Sequence, residues 1–235
     1  MKITKLDWDS DFFGRNIYQI FAESPLVKLT VPEACDVLFL KSENPLKCNV
    51  VGFDCTYEEE KVVFTKNIKP DIGALSSEIL SVQDISINME SLCDLAYLSG
   101  HSSRYNLDVK FSREEFEGMY RQWIINALET SFQDDILIYN IDNVISGMIT
   151  FKVSDFSCHV GLISVLNNAQ GKGIGRKLLE HLEHSMSLQG VSRVVIPTQR
   201  KNVSAMGFYQ KIGYHHESSE FCRHYWRNTA IKNHV

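Results

Sequence analysis

The spacing of hydrophobic positions changes near residue 82. Before it, short apolar runs, NIYQIFAE, CDVLFLKS, VVGFDCTYE and KVVFTKNI, are separated by Asn, Pro and charged clusters, the pattern of strands arranged around a helix. From Ser86, INMESLCDLAYLSG places apolar residues at helical spacing. FSREEFEGMYRQWIINALET then sets Phe116, Met119, Tyr120, Trp123, Ile124 and Leu128 along one helical side, so two helices are predicted. DILIYNIDNVISGMITFKV puts two β-rich runs around Asp142-Asn143, a turn-forming pair, and SCHVGLISVL supplies a third strand of an antiparallel meander. A glycine-rich stretch with its helix, the strand VSRVVIPTQ, the helix SAMGFYQKIG and a last β-like run, FCRHYWR, complete the order. The pattern predicts an α/β chain in two parts: a small α/β unit over 1–82 and a larger domain over 83–235. No internal repeat or low-complexity segment is present.

Composition narrows the function classes. A chain of 235 residues can bury an ordinary core in one or two domains. The net charge of −5, with basic residues scattered rather than gathered in runs, argues against a nucleic-acid-binding surface. No apolar run reaches the length of a membrane span, so no membrane insertion is expected. Asp7, Asp9 and Asp11 break the N-terminal stretch where a signal peptide needs an apolar core, which makes a cytoplasmic location the expectation. Cys35, Cys48, Cys55, Cys93, Cys158 and Cys222 lie far apart with no CxxC pair. They are read as reduced, packed thiols rather than a zinc site.

The stretch NNAQGKGIGRKLLEHL carries the candidate chemistry. Glycine in or beside a helix costs about 1 kcal/mol against alanine, so Gly171, Gly173 and Gly175 at alternate positions need a reason. A Rossmann fingerprint fails because its third glycine falls on Arg176 and the flanking strands read as antiparallel. A P-loop fails because no GxxxxGK run is present. What fits is a strand, SVL, leading through a loop into a helix N-terminus. Side chains leave the amides of Gly171, Lys172, Gly173, Ile174, Gly175 and Arg176 uncrowded there. Such amides, with the positive end of the helix dipole and the charges of Lys172 and Arg176, can hold a pyrophosphate. The plain alternative is that the glycines only let the helix pack closely on a strand.

Gln170-x-x-Gly173-x-Gly175 between strand and helix, followed by a strand, Asn202, and a helix with Phe208-Tyr209 ending in Gly213-Tyr214, resembles the GNAT family of acyl-CoA-dependent N-acyltransferases. The resemblance covers about residues 85–225. It implies an α/β (α+β) GNAT fold with a mixed, mostly antiparallel central sheet, acetyl-CoA as co-substrate, and the Gln170–Arg176 loop on the CoA pyrophosphate. It implies also a splay between GLISVL and SRVVIP that admits the pantetheine arm, which pairs with backbone groups of Ile163 and Val165. Open strand edges need such partners. The Val165 N–H becomes the oxyanion donor, Asn202 a pantetheine ligand and Tyr209 the general acid. A phenol with a reference pKa of about 10 is protonated at neutral pH and can fill that last role. Tyr209 can equally be a packing residue with Phe208 and Ile212, and Asn202 can cap a helix. Asp155, His159 or a water chain are candidates for the base. His181 and His184 read as a solvated helix face, His215-His216 as a loop, and no metal is expected.

LDWDSDFFGRNIYQI and the first small unit, with Ser103-Arg104-Tyr105-Asn106 and MYRQWIINAL, are similar to the dTDP-fucosamine N-acetyltransferase family of bacterial surface-polysaccharide synthesis. This implies a nucleotide-linked amino-sugar acceptor, acetylated at the 4-amino group of a dTDP-4-amino-4,6-dideoxyhexose, with the first unit contributing to its binding. The planar fork of Arg104 suits a substrate phosphate. The alternative is a surface salt bridge to Glu114 or Asp108. Trp8, Phe12 and Phe13 are expected in the core of the small unit. A protein, peptide or small-amine N-acetyltransferase, a non-catalytic acyl-CoA-binding module and a structural domain remain rival readings. If FCRHYWR is an edge strand, it can pair across a homodimer.

Overall fold

A computed structural model describes residues 2–24, 28–46, 48–69, 75–84, 87–129 and 134–228. Ile85, where the family resemblance begins, and Ser86 lie outside the described residues. The first stretch holds β1 (Ile3–Lys5), α1 (Asp7–Phe13), β2 (Ile17–Phe21), β3 (Val37–Ser42), β4 (Phe53–Asn67) and β5 (Ile79–Ser81). The second holds α2 (Met89–Ser99), α3 (Arg104–Leu107), α4 (Arg113–Leu128), β6 (Asp134–Ile141), β7 (Val144–Ser154) and β8 (Ser157–Val165). It ends with α5 (Ile174–Leu188), β9 (Arg193–Gln199), α6 (Val203–Lys211) and β10 (His215–Arg227).

Local chemistry accounts for most boundaries. Ser112 and Glu115 form a reciprocal capping box at the start of α4, and Asn88 caps α2 through the Glu90 N–H. Phe116, Met119, Tyr120 and Ile124 of α4 are buried, with Trp123 and Leu128 half-buried beside them, as the helical spacing predicts. Asp142 and Asn143 both take positive φ, 51° and 63°, the backbone of a two-residue hairpin turn between β6 and β7.

All ten strands join one sheet among the described residues, in the order β1-β2-β3-β10-β4-β9-β8-β7-β6-β5. Only β2–β3 and β8–β9 run parallel, so the sheet is mixed and mostly antiparallel, as expected. The division at residue 82 is crossed by this sheet, because β4 of the first stretch lies between β9 and β10 of the second. Both of these pairings are antiparallel. Helices cover both faces. Leu178, Leu179 and Leu182 of α5 and Tyr209 of α6 pack on Phe64 and Ile196. On the other face Leu92, Leu95, Phe116 and Ile124 pack on Phe39 and Ile136.

Four readings are corrected here. VVGFDCTYE and KVVFTKNI form a single 15-residue strand, β4. Its charged middle does not make a turn, because Glu58 and Glu60 meet Arg223 at 2.7 Å and Arg200 at 2.6 Å from neighbouring chain segments. FCRHYWR is no edge: it is the interior of β10, hydrogen-bonded to β3 on one side and β4 on the other, so it cannot pair across a dimer. His215 and His216 belong to that strand rather than a loop. Trp8 is 45% exposed and stacks on Phe12, while Phe13 is the ring that enters the core. All six cysteines are free thiols, and among the described residues no helix is long and apolar enough to cross a membrane.

Below α4 lies a buried polar knot. Asp108, only 1% exposed, accepts hydrogen bonds from His224 Nδ1 (2.7 Å), Trp226 Nε1 (2.9 Å) and Thr56 Oγ1 (3.2 Å). With Nδ1–H donating, Nε2 of His224 faces the interior unpartnered. Burial lowers the His224 pKa from 6.5 to about 4, helped by the charge of Arg104 and opposed by Asp108. The folded chain therefore holds this ring neutral while the unfolded chain protonates it. Its contribution is complete above pH 6.5 and is lost as pH falls towards 4. We expect chemical-denaturation stability to fall by about 3 kcal/mol across that interval from this group. A His224→Gln variant should show a correspondingly flatter pH dependence; an unchanged slope would contradict the assignment.

Candidate active site

β8 and β9 are paired only at Ser157–His159 with Arg193–Val195. Beyond this the strands diverge, and Val160–Val165 and Ile196–Gln199 line a cavity of about 1060 Å³. A bulge accounts for the divergence. The β7–β8 register shifts between Ile149 and Phe151, and the hydroxyl of Thr150 accepts the Leu162 N–H at 2.8 Å in place of a ladder carbonyl. Gly161 makes this possible, since a Cβ there would stand 2.8 Å from Thr150 Oγ1. Leu166 N–H bonds to Ser146 on β7, and alternation then points the backbone groups of Ile163 and Val165 away from β7, into the gap.

The glycine loop closes one end of the cavity. Gly171 and Gly173 have φ of 77° and 81°, a left-handed backbone that a side chain would strain. Lys177 N–H, bonded to Gly173 O, opens the helical ladder, so the N–H groups of Ile174, Gly175 and Arg176 have no acceptor within the helix. Gly175 has a different reason: a Cβ there would meet Phe208 of α6 at 3.3 Å. The packing explanation of the glycines thus holds for Gly175, while the loop leaves three N–H groups without an acceptor in the helix. Gln170 lines the cavity but spends its amide on Val165 O (3.2 Å) and Asn167 Oδ1 (3.1 Å), which fixes the loop. Arg176 also lines the cavity; Lys172 is exposed and does not.

Asn202 and Tyr209 border the same space. The Asn202 side chain caps α6 by accepting the Ala205 N–H at 3.2 Å, which leaves its amide N–H₂ for another partner. Tyr209 is 3% exposed beside the rings of Phe64, Phe208 and Tyr214, and burial pushes its phenol pKa above the ordinary value.

Arg104 lies at the opposite end. It pairs with neither Glu114 nor Asp108. Its guanidinium stacks over Phe39 and Tyr105 (4.6 and 4.7 Å to the ring centres), and donates to Tyr105 Oη (2.7 Å) and Cys222 Sγ (3.5 Å). Under it, cross-strand neighbours build a charged floor: Lys41, Cys222 and Glu59 in one row, Glu220 and Lys61 in the next. Asp155 sits exposed in the β7–β8 turn, and His159 lines a separate cavity of about 300 Å³, so neither candidate base borders the main one. His181 is half-buried and accepts the Ser76 N–H at 3.2 Å, so it is not a solvated group. Among the described residues no cluster of three or more metal-ligating side chains is present. The residue missed from sequence is Glu59. Reading β4 as one alternating strand would have placed Tyr57, Glu59 and Lys61 on a single face.

A mostly antiparallel sheet, opened between two parallel strands and flanked at the opening by a glycine-rich helix start, defines a class of domains that admit an extended ligand between strands. Residues 101–214, just under half of the chain, match the Acetyltransferase (GNAT) family model. The spore coat polysaccharide biosynthesis protein SpsD of Bacillus subtilis (strain 168) is 30% identical over 143 residues, 61% of this chain and 49% of that protein. The chain spans about half the length of the curated relatives it matches. Two solved structures share the fold. A functionally unknown conserved protein from Staphylococcus epidermidis ATCC 12228 has TM-score 0.56 at 14% identity, covering 91% of this chain and 84% of that one. An acetyltransferase from the GNAT family of Colwellia psychrerythraea has TM-score 0.50 at 13% identity, covering 82% and 65%.

Proposed function

We propose that the chain transfers the acetyl group of acetyl-CoA to the amine of a nucleotide-linked amino sugar, the 4-amino group of a dTDP-4-amino-4,6-dideoxyhexose. The observation that carries this is the single cavity joining the β8–β9 opening and glycine loop to the charged floor beneath Arg104. In this reading Gly171, Gly173, Ile174, Gly175 and Arg176 offer amides to the CoA pyrophosphate, with Lys172 adding charge nearby and Gln170 holding the loop. Ile163 and Val165 pair with the pantetheine arm as a strand would, and the Asn202 amide adds a side-chain contact. The Val165 N–H is aimed where the thioester oxygen gains charge, and Tyr209 protonates the departing sulfur. Arg104 meets an acceptor phosphate. β4 and β3 of the first stretch supply most of the floor, which gives that stretch a part in choosing the acceptor. Similarity to a polysaccharide biosynthesis protein supports a sugar acceptor.

The test is CoA-thiol release from acetyl-CoA, with dTDP-4-amino-4,6-dideoxyhexoses, free amino sugars and a basic peptide offered in parallel. Release with a nucleotide sugar alone is expected. Release with the peptide would replace this reading by a peptide acetyltransferase. Acetyl-CoA binding without release to any amine would leave a binding module.

A further inference from the structure

We infer that Glu59 takes the proton from the acceptor amine, an assignment that rests on the transferase reading. Glu59 lines the cavity yet is only 7% exposed, and among the described residues no cation stands within ion-pair distance of its carboxylate. Its carboxylate accepts a hydrogen bond from the Tyr57 hydroxyl, at 3.1 Å on Oε2. A buried carboxylate without an ion partner is costly, and it is tolerated where a ligand group completes it. Lys41, the other long side chain of its row, is engaged by Glu220 at 3.2 Å.

Position agrees with this role. Glu59 lies two residues before Lys61, which pairs with Gln199 at the open end of β9, and Gln199 lines the cavity wall opposite the β8 backbone. The carboxylate therefore borders the acceptor half just beyond the strand opening, and Tyr209 borders the thioester half. In the reaction the amine nitrogen forms a bond to the thioester carbonyl carbon and one N–H proton passes to a Glu59 carboxylate oxygen. The carbon–sulfur bond breaks, the electron pair leaves on sulfur, and sulfur takes the Tyr209 proton. The second N–H remains on the amide, and exchange with solvent returns both side chains to their starting state.

The groups facing Glu59 set its titration. Tyr57 and Lys61 share its strand, Cys222 and Glu220 face it from β10 and Lys41 from β3. Arg104 and Tyr105 approach from α3, Tyr120 from α4, and Lys201 from the loop before α6. Burial pushes its pKa above the ordinary carboxylate value against the pull of Arg104, the Tyr57 hydroxyl, Lys61 and Lys201. A base must be deprotonated to act, so kcat/KM should show an acidic limb that rises with pH through this raised value, in addition to the rise from deprotonation of the acceptor amine.

The experiment measures kcat and kcat/KM against pH for the full chain and for Glu59→Gln and Glu59→Asp, using the acceptor that supports CoA release. Acetyl-CoA affinity and melting temperature are measured alongside. Glu59→Gln is expected to lower kcat about hundredfold and to lose the acidic limb, with acetyl-CoA affinity within twofold of the parent. The rise due to deprotonation of the acceptor amine itself should remain. Glu59→Asp should restore part of the rate and a shifted limb. A Glu59→Gln variant that is folded, binds acetyl-CoA and keeps the parent rate and limb overturns the assignment alone. A parent that releases no CoA to any amine overturns the transferase reading and this assignment with it.

Discussion

Tyr209→Phe is expected to lower kcat by about 10²- to 10³-fold while leaving acetyl-CoA affinity within a factor of two or three. The phenol is 3% exposed and its ring packs against Phe64 and Tyr214, contacts that phenylalanine keeps. Only the hydroxyl is lost, and with it the proton offered to the departing thiolate. Because burial raises the pKa of this phenol, it stays protonated throughout the neutral range, so the wild-type rate should show no alkaline loss from Tyr209 itself below about pH 10. Stopped-time assays of CoA-thiol appearance, paired with calorimetric binding of acetyl-CoA, separate the two effects. A variant within threefold of the parent kcat would reduce Tyr209 to a packing residue.

The largest effect on stability is expected from Asp108→Ala, at about 2–5 kcal/mol, because two buried donors lose their acceptor at about 1–3 kcal/mol each. Asp108 is fully engaged: besides His224, Trp226 and Thr56, it accepts the Lys110 N–H at 3.2 Å. Its own burial pushes the carboxyl pKa up, but the hydrogen bonds from His224, Trp226 and the Lys110 amide outweigh that and hold it below the ordinary value. Removal of the carboxylate leaves the His224 and Trp226 donors without their acceptor in the interior, which is the expensive outcome for buried polar groups. Asp108→Asn, which keeps an acceptor oxygen, should lose less. Urea unfolding of the three proteins would show it, and a midpoint shift for Asp108→Ala equivalent to less than 1 kcal/mol would rule out the knot as a major support.

What the sequence displays and what it conceals follow from the range of the interactions. The meander is legible because Asp142 and Asn143 tolerate the left-handed backbone that a two-residue hairpin requires. The α4 stripe and the glycine loop are legible for the same reason, each being written within one or two turns of chain. The charged floor beneath Arg104 is not. Glu59, Cys222 and Lys41 come together only through strand pairing across much of the chain, and nothing local to TYEEEKVV names its partners. Asp108 and His224 are 116 positions apart, so their hydrogen-bonded knot has no local signature either. The opening between β8 and β9 is an intermediate case. Gly161 is visible, but its meaning depends on Thr150 across the hairpin.

The seat of β4 bears on how this protein comes into being. Its two partners, β9 and β10, occupy 193–227, more than a hundred residues downstream. During synthesis β4 leaves the ribosome with both edges bare and must stay so until those late strands emerge. Loops of that length close slowly, and bare edges invite pairing with other nascent chains. Nascent chains shortened before residue 193 therefore lack both partners of their longest strand, and their interrupted synthesis yields aggregation-prone fragments rather than a smaller working domain.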